Sequence, residues 1–476
     1  MPVGRTYRPD PRHGALGDLF YDAVEPARFP AETLRWRNDR AAATVGLDTL
    51  TDAEWLRHFA RFEPLPGNLP TPLALRYHGH QFRAYNPDLG DGRGFLHAQV
   101  RDERDRLLDL GTKGSGTTPW SRSGDGRLTL KGAVRELLAT ETLEARGVPT
   151  SRTFSIVETG EELWRGDEPS PTRSAVLVRL SHSHIRIGTF QRLAYHGEGE
   201  AIGRLVSHCG GTYGLGDGDP VRFLEAVTAR VADTGAAWWA AGFVHGVLNT
   251  DNINVTGESF DYGPWRFLEA HDPTRVAAYF DQTGLYAFAR QPEALQWNLA
   301  RLAECLLAVA EDARDAMIAV LETFPALFED ALVRRTLLRL GVAGRGGERA
   351  GERGAEAGAE EDRALVRGLY AAMRRTQHPH ERAFHDLRGG ADAGRIAASP
   401  LAADYETEPW RDVVRALRGR EATIDAATGP DAPVTMDHAQ VESAWDAIAR
   451  DDDWTPLATH VHRARHADRA RHAGGG

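Results

Sequence analysis

Apolar positions gather into short dense runs in the first half of the chain and into helical spacing in the second. Residues 95–100 and 107–110 are compact apolar runs separated by the charged stretch 101–106, which predicts two strands joined by a polar turn. Val134, Leu137, Leu138, Glu141 and Ala145 then fall on one side of a 3.6-residue repeat, with Gly147 and Pro149 as the stop, so a helix is predicted there. Residues 153–158 and 174–180 again have strand character. Further on, Phe223, Val227 and Val231 recur at every fourth position, leading to Trp238, Trp239 and the terminator Gly242. Helices are also predicted over 294–309 and 313–323.

This succession predicts an α+β chain with a mostly helical C-terminal half. Residues 1–70 form a partly helical lead-in, closed by Pro64, Pro66, Pro70 and Pro72. Residues 71–185 are the strand-rich region and 186–340 the helical one. Residues 341–363 are expected to be a disordered low-complexity linker, because from 343 onward they contain only Ala, Gly, Arg, Glu and Asp. A helical extension, 364–476, ends in a His- and Arg-rich tail (His460, His462, His466, His472) expected to be disordered and solvated. No fixed-period repeat is present.

Composition narrows the function. The 476 residues carry 57 basic and 68 acidic side chains, a net charge of −11, which argues against nucleic acid as a partner because phosphate neutralisation needs a basic surface. A membrane span needs roughly 18–20 apolar residues. The longest candidate, residues 235–244, is far shorter and holds two glycines, and residues 1–14 have no apolar stretch behind them. A cytoplasmic protein is the expectation. The two cysteines, Cys209 and Cys305, exclude a disulfide scaffold and a four-cysteine zinc site, and both read as small buried hydrophobes.

Three segments could carry chemistry. In Leu89-Gly90-Asp91-Gly92-Arg93-Gly94, glycines alternate with polar residues ahead of a strand, which lets backbone N–H groups approach a phosphate; an ordinary Asp-Gly turn explains it equally. Next come Asp109-Leu110-Gly111-Thr112-Lys113-Gly114-Ser115-Gly116 and Gly124-Asp125-Gly126-Arg127. Lys113 ends a predicted strand and Glu136 lies in the following helix, the pairing by which protein kinases fix a lysine against nucleotide phosphates. The third segment, His245-Gly246-Val247-Leu248-Asn249-Thr250-Asp251-Asn252, is followed by Asp261-Tyr262-Gly263 and resembles the catalytic and metal loops of kinase-like folds. Its Asn and Asp oxygens suit a hard cation such as Mg²⁺. Val247 stands where small-molecule kinases of this kind carry the catalytic Asp, and a carboxylate occurs instead at Asp251, directly before Asn252. Arg179 and Arg186 add guanidinium groups able to clamp phosphate oxygens. The His-x-His pairs, His78 with His80 and His182 with His184, lack a carboxylate or thiol partner at helical spacing and do not read as a zinc site.

Taken in order, these motifs, with Tyr77-His78-Gly79-His80-Gln81-Phe82, Lys113 through Arg122, and Phe280-Asp281-Gln282-Thr283-Gly284, resemble the selenoprotein O family of protein adenylyltransferases. The resemblance covers roughly residues 30–335 and continues weakly to about 390. It implies a bilobal, protein-kinase-like (pseudokinase) fold that binds ATP in an inverted pose and moves AMP to Ser, Thr or Tyr hydroxyls of proteins, sometimes of the enzyme itself. By the same resemblance Gly90, Gly92, Arg93, Lys113, Asp125, Gly126, Arg179, Arg186 and Asp261 would hold the nucleotide, and Glu136 would pair with Lys113. Asn252 and Asp261 would bind Mg²⁺ or Mn²⁺, and Asp251 would accept the proton. UMP transfer from UTP, kinase-type phosphoryl transfer and a catalytically silent ATP-binding scaffold are the alternatives. Val247 argues against the second of these, and the intact Lys113, Glu136, Asp251, Asn252 and Asp261 against the third. Some family members carry a redox-active residue near the C-terminus; residues 306–476 contain no cysteine.

Overall fold

The structure is a computed structural model that describes residues 3–166, 168–346, 352–424 and 430–472. It is a mixed α and β chain. The strands of the first half are β1 (Tyr21–Ala23), β2 (Thr33–Arg37), β3 (Leu73–Leu75), β4 (Gly79–Gln81), β5 (Ala84–Asn86), β6 (Leu96–Arg101), β7 (Leu107–Lys113), β8 (Leu128–Thr129), β9 (Arg152–Leu163) and β10 (Thr172–Ser181). All but β4 and β5 form one antiparallel sheet in the order β1-β3-β6-β7-β10-β9-β2, with β8 on β10. The predicted hairpin 95–110 is therefore β6–β7. Its charged turn is tied by Asp102, which accepts from the backbone N–H groups of Arg104 and Arg106.

Both faces of the central strands are covered. Val176, Val178 and Leu180 of β10 pack with Trp55, Phe59 and Phe154, while Ala175 and Leu177 between them face the main core. That double burial is why residues 174–180 read as an unbroken apolar run. The first face is closed by helices α1 (Asp39–Ala43) and α2 (Asp52–Phe59), and the second by α3 (Leu130–Ala145), which carries Glu136. Residues 1–70, read from the sequence as a lead-in, thus supply both edge strands of the sheet and the helices on one of its faces.

Helices dominate from there: α4 (Ile187–Tyr195), α5 (Gly199–Tyr213), α6 (Pro220–Ala241), α7 (Gln291–Leu306), α8 (Arg314–Glu322) and α9 (Phe324–Leu340). The predicted every-fourth-residue stripe is buried on α6, which ends at Gly242 in the left-handed region, φ 63°. The loop carrying the third motif leaves β11 (Phe243–His245) and returns through β12 (Trp265–Phe267).

Two expectations are corrected. The alanine- and glutamate-rich stretch is not a disordered linker throughout: α10 (Glu352–Thr376) runs through its second half. Its Ala, Glu and Arg residues are strong helix formers, and Asp362 is buried, accepting from the backbone of Arg345 and from the Arg420 guanidinium at 2.5 Å. Nor is the tail a free solvated end. Thr455–His472 is helical and docks on α3, with His460 Nε2 2.9 Å from Thr142 Oγ1 and Arg465 paired to Glu141 at 2.7 Å. The final glycines lie outside the described residues.

Candidate active site

A cleft of about 610 Å³ opens between the sheet and the helical half. Gly90, Gly92, Arg93, Lys113, Asp125, Gly126, Arg179, Arg186 and Asp261 all line it. The sheet sets most of these positions. Lys113 ends β7, and Arg179 lies on the neighbouring β10, paired across the ladder with Gly111. Gly92 is needed for packing: a Cβ there would sit 2.8 Å from the Trp120 carbonyl oxygen, so this loop is pressed onto the following one rather than left open.

The Lys113 ammonium contacts Glu136 of α3 and lies 2.7 Å from Asp261 Oδ1. Asp261 has a left-handed backbone, φ 62°, uncommon for a residue with a side chain. Burial would raise its carboxyl, but Lys113, Arg179 and Arg186 outweigh that and hold it well below the usual carboxylate range. Its second oxygen, Oδ2, accepts no hydrogen bond among the described residues.

Arg179 and Arg186 are both buried. Arg179 reaches Asp261 at 3.6 Å, yet its Nε and Nη1 have no partner among the described residues. Arg186 stacks 4.2 Å over the Tyr77 ring, donates to Asp91 at 3.2 Å and to the Asp251 carbonyl at 3.1 Å, and leaves Nε unpartnered. Buried donors are nearly always satisfied. Unpaired guanidinium N–H groups at the wall of a cleft are what a bound oxyanion would complete.

The Asp251 side chain is outside the cleft lining. A Cβ on Gly79 would come within 2.7 Å of its Oδ1, which has no hydrogen-bond partner among the described residues. Burial pushes this carboxyl up to about 7, against the opposing pull of Arg186. Its loop is tightly held: Asn249 Oδ1 accepts from Phe82 N–H at 3.1 Å and Tyr286 O–H at 2.8 Å, and Asn298 donates to the Leu248 carbonyl at 2.8 Å. Asn252 is not on the cleft wall; its amide donates to the Val247 carbonyl at 3.0 Å. Its oxygen and Asp261 Oδ2 are donors of the kind Mg²⁺ or Mn²⁺ takes, so the residue types fit such an ion.

Asp125 is paired with Arg165 at 2.8 Å on the rim. Three of the four histidines in these pairs are engaged elsewhere: His78 with Tyr85, His80 with Gln191 and His184 with Asp109. No group of three or more His, Cys, Asp or Glu able to hold a metal occurs among the described residues. Both cysteines are buried thiols. Sequence reasoning missed Tyr77 and Asp91, the groups that orient Arg186, although both lie within motifs singled out on other grounds.

A sequence profile described as protein adenylyltransferase SelO matches residues 5–465. The chain belongs to the SelO family. It is 43% identical over 487 residues to a protein nucleotidyltransferase YdiU of Synechococcus elongatus, covering 96% of this chain and 94% of that protein. Its namesake in a Synechocystis species is 42% identical over 471 residues, covering 94% and 96%. That of a Ruegeria species is 35% identical over 440 residues, covering 92% and 87%. The family match therefore extends well past residue 390, through the C-terminal helices. No helix among the described residues is long and apolar enough to cross a membrane.

Proposed function

We propose that this SelO-family enzyme has a kinase-like bilobal arrangement and moves AMP from ATP to Ser, Thr or Tyr hydroxyls of proteins, its own included. The observation that carries this is the convergence of Lys113, Arg179, Arg186 and Asp261 on one cleft, with guanidinium donors there that lack partners among the described residues. The substrate hydroxyl oxygen bonds to the α-phosphorus, the bond from that phosphorus to the α–β bridging oxygen breaks, and pyrophosphate leaves. Charge develops on the departing phosphates, where fixed cations stabilise it most. Lys113 is locked by Glu136 and Asp261, while Arg179 and Arg186 present the unfilled donors. Asp251, titrating at about 7, takes the hydroxyl proton. Asp261 and Asn252 would hold Mg²⁺ or Mn²⁺, which supplies further charge neutralisation at the phosphates.

Intact-mass analysis of the protein, alone and with lysate proteins, after incubation with ATP and Mg²⁺ or Mn²⁺ tests this. One added adenylate supports it; unmodified protein throughout contradicts it. UMP transfer is a second reading, favoured by the base-neutral name "nucleotidyltransferase" that the relatives carry. UTP in the same assay separates the two.

A further inference from the structure

At the opposite end of β7 from Lys113, beside the β6–β7 turn, lies a second concavity, about 470 Å³, within the size range of small-ligand pockets. Five guanidinium groups reach it from separate parts of the fold: Arg40 from α1, Arg104 and Arg106 from the β6–β7 turn, Arg152 from β9 and Arg335 from α9. Among the described residues only two carboxylates, Glu144 and Glu258, share the wall. In a chain of net charge −11 such a concentration of cations in one hollow runs against the overall balance.

The acids are already engaged. Glu144 pairs with Arg40 and with Arg152, the latter at 2.8 Å. Glu258 accepts the His182 backbone N–H at 2.5 Å. Arg106 has Asp102 on one edge at 2.7 Å, and Arg335 has Asp233 and the Gly147 carbonyl. The Arg104 side chain is exposed and makes no ion pair or hydrogen bond among the described residues; only its backbone holds the turn, by donating to Asp102 at 3.0 Å.

We propose that this hollow is a second anion site, separate from the nucleotide cleft, that takes a small phosphate-bearing anion of the pyrophosphate type. Planar guanidinium forks match phosphate oxygens two at a time, and their charge is permanent. The floor joins the active-site loop: Ser259 N–H donates to the Pro149 carbonyl and Ser151 N–H to the Ser259 carbonyl, both at 2.9 Å, two residues before Asp261. An anion bound here touches the segment connecting α3, which carries Glu136, to β9, the neighbour of β10 in the sheet.

The test is calorimetric titration of the full-length protein with inorganic pyrophosphate, in chelator and at physiological ionic strength. Wild type, Arg104→Glu, Arg106→Gln and Arg179→Ala are compared, with melting temperatures recorded to establish that each is folded. Two binding events are expected for wild type. Arg104→Glu and Arg106→Gln weaken one of them by at least about tenfold, the scale of a lost charge-assisted hydrogen bond. Arg179→Ala removes the other, so failure of the cleft reading and failure of this one are distinct. Titrations of both turn variants that overlay wild type would make the hollow an internal ion-pair network and overturn the proposal.

Discussion

Lys113 Nζ stands 2.7 Å from Asp261 Oδ1 while also gripping Glu136, so one ammonium ties the sheet, α3 and the metal-type loop together. Close contact with two carboxylates at once suits a compact point charge better than a planar fork. The chain's usage agrees: of its 57 basic residues only Lys113 and Lys131 are lysines. Lys113→Arg, conservative in charge, should therefore cost as much transfer as Lys113→Ala, about 10²-fold or more, the scale of losing one preorganised donor. Initial rates with α-labelled ATP decide it; near-wild-type transfer by Lys113→Arg would show that charge alone suffices.

Asp251 makes a pH prediction. Only its ionised form can accept a proton, so kcat/KM should rise with pH and level off above about 7. Asp251→Asn should lose that limb and fall by about 10²–10⁴-fold. A flat profile in the wild type from pH 5 to 9 would exclude Asp251 as the base.

The same carboxyl should weaken the fold as pH rises. Its ordinary value is 3.8 and its folded value about 7, so between them the native state binds more protons than the unfolded chain, and this group's contribution falls as pH climbs from about 4 to 7. Asp251→Asn removes a buried charge and should melt higher than wild type at pH 8, each kcal/mol being worth roughly 2 °C in a large chain, and show no such gain at pH 4. Calorimetric melting at the two pH values measures it.

Arg179 is buried, and its Nε and Nη1 find no partner among the described residues. Arg179→Ala should weaken ATP binding by about tenfold or more, and so shrink the rise in melting temperature that ATP produces. Full ATP stabilisation in the variant would mean the triphosphate lies elsewhere.

Chelation should stop transfer and added Mg²⁺ or Mn²⁺ restore it, whereas Asp261→Ala should stay inactive at any metal concentration, because the Oδ2 acceptor and the Lys113 partner are both gone. Circular dichroism showing a folded Asp261→Ala protein isolates the effect to the site.

Much of this architecture could be read from the chain because it rests on local signals. The β6–β7 hairpin, α3, α6 and α7 announce themselves by period and by terminators such as Gly147 and Gly242. By contrast α5 went unpredicted: Gly199, Gly203, Gly210 and Gly211 depress its intrinsic propensity, and burial of Ile202, Leu205, Val206 and Cys209 supplies what propensity lacks. The tail could not be read locally, since His460 and Arg465 find Thr142 and Glu141 more than three hundred positions away. The same holds at the site. Motif order indicated which residues belong together, but not that Asp251 is covered by Gly79 or that Asn252 turns its amide to Val247.

Adenylyl transfer requires that the cleft expose the α-phosphorus to an alcohol. Parallel reactions of the full-length protein with ATP labelled at the α or at the γ phosphate, followed by gel separation and assay of released pyrophosphate, test it most directly. Protein-bound label from the α position alone, with pyrophosphate in equal amount, is predicted. Label transferred from the γ position would contradict it.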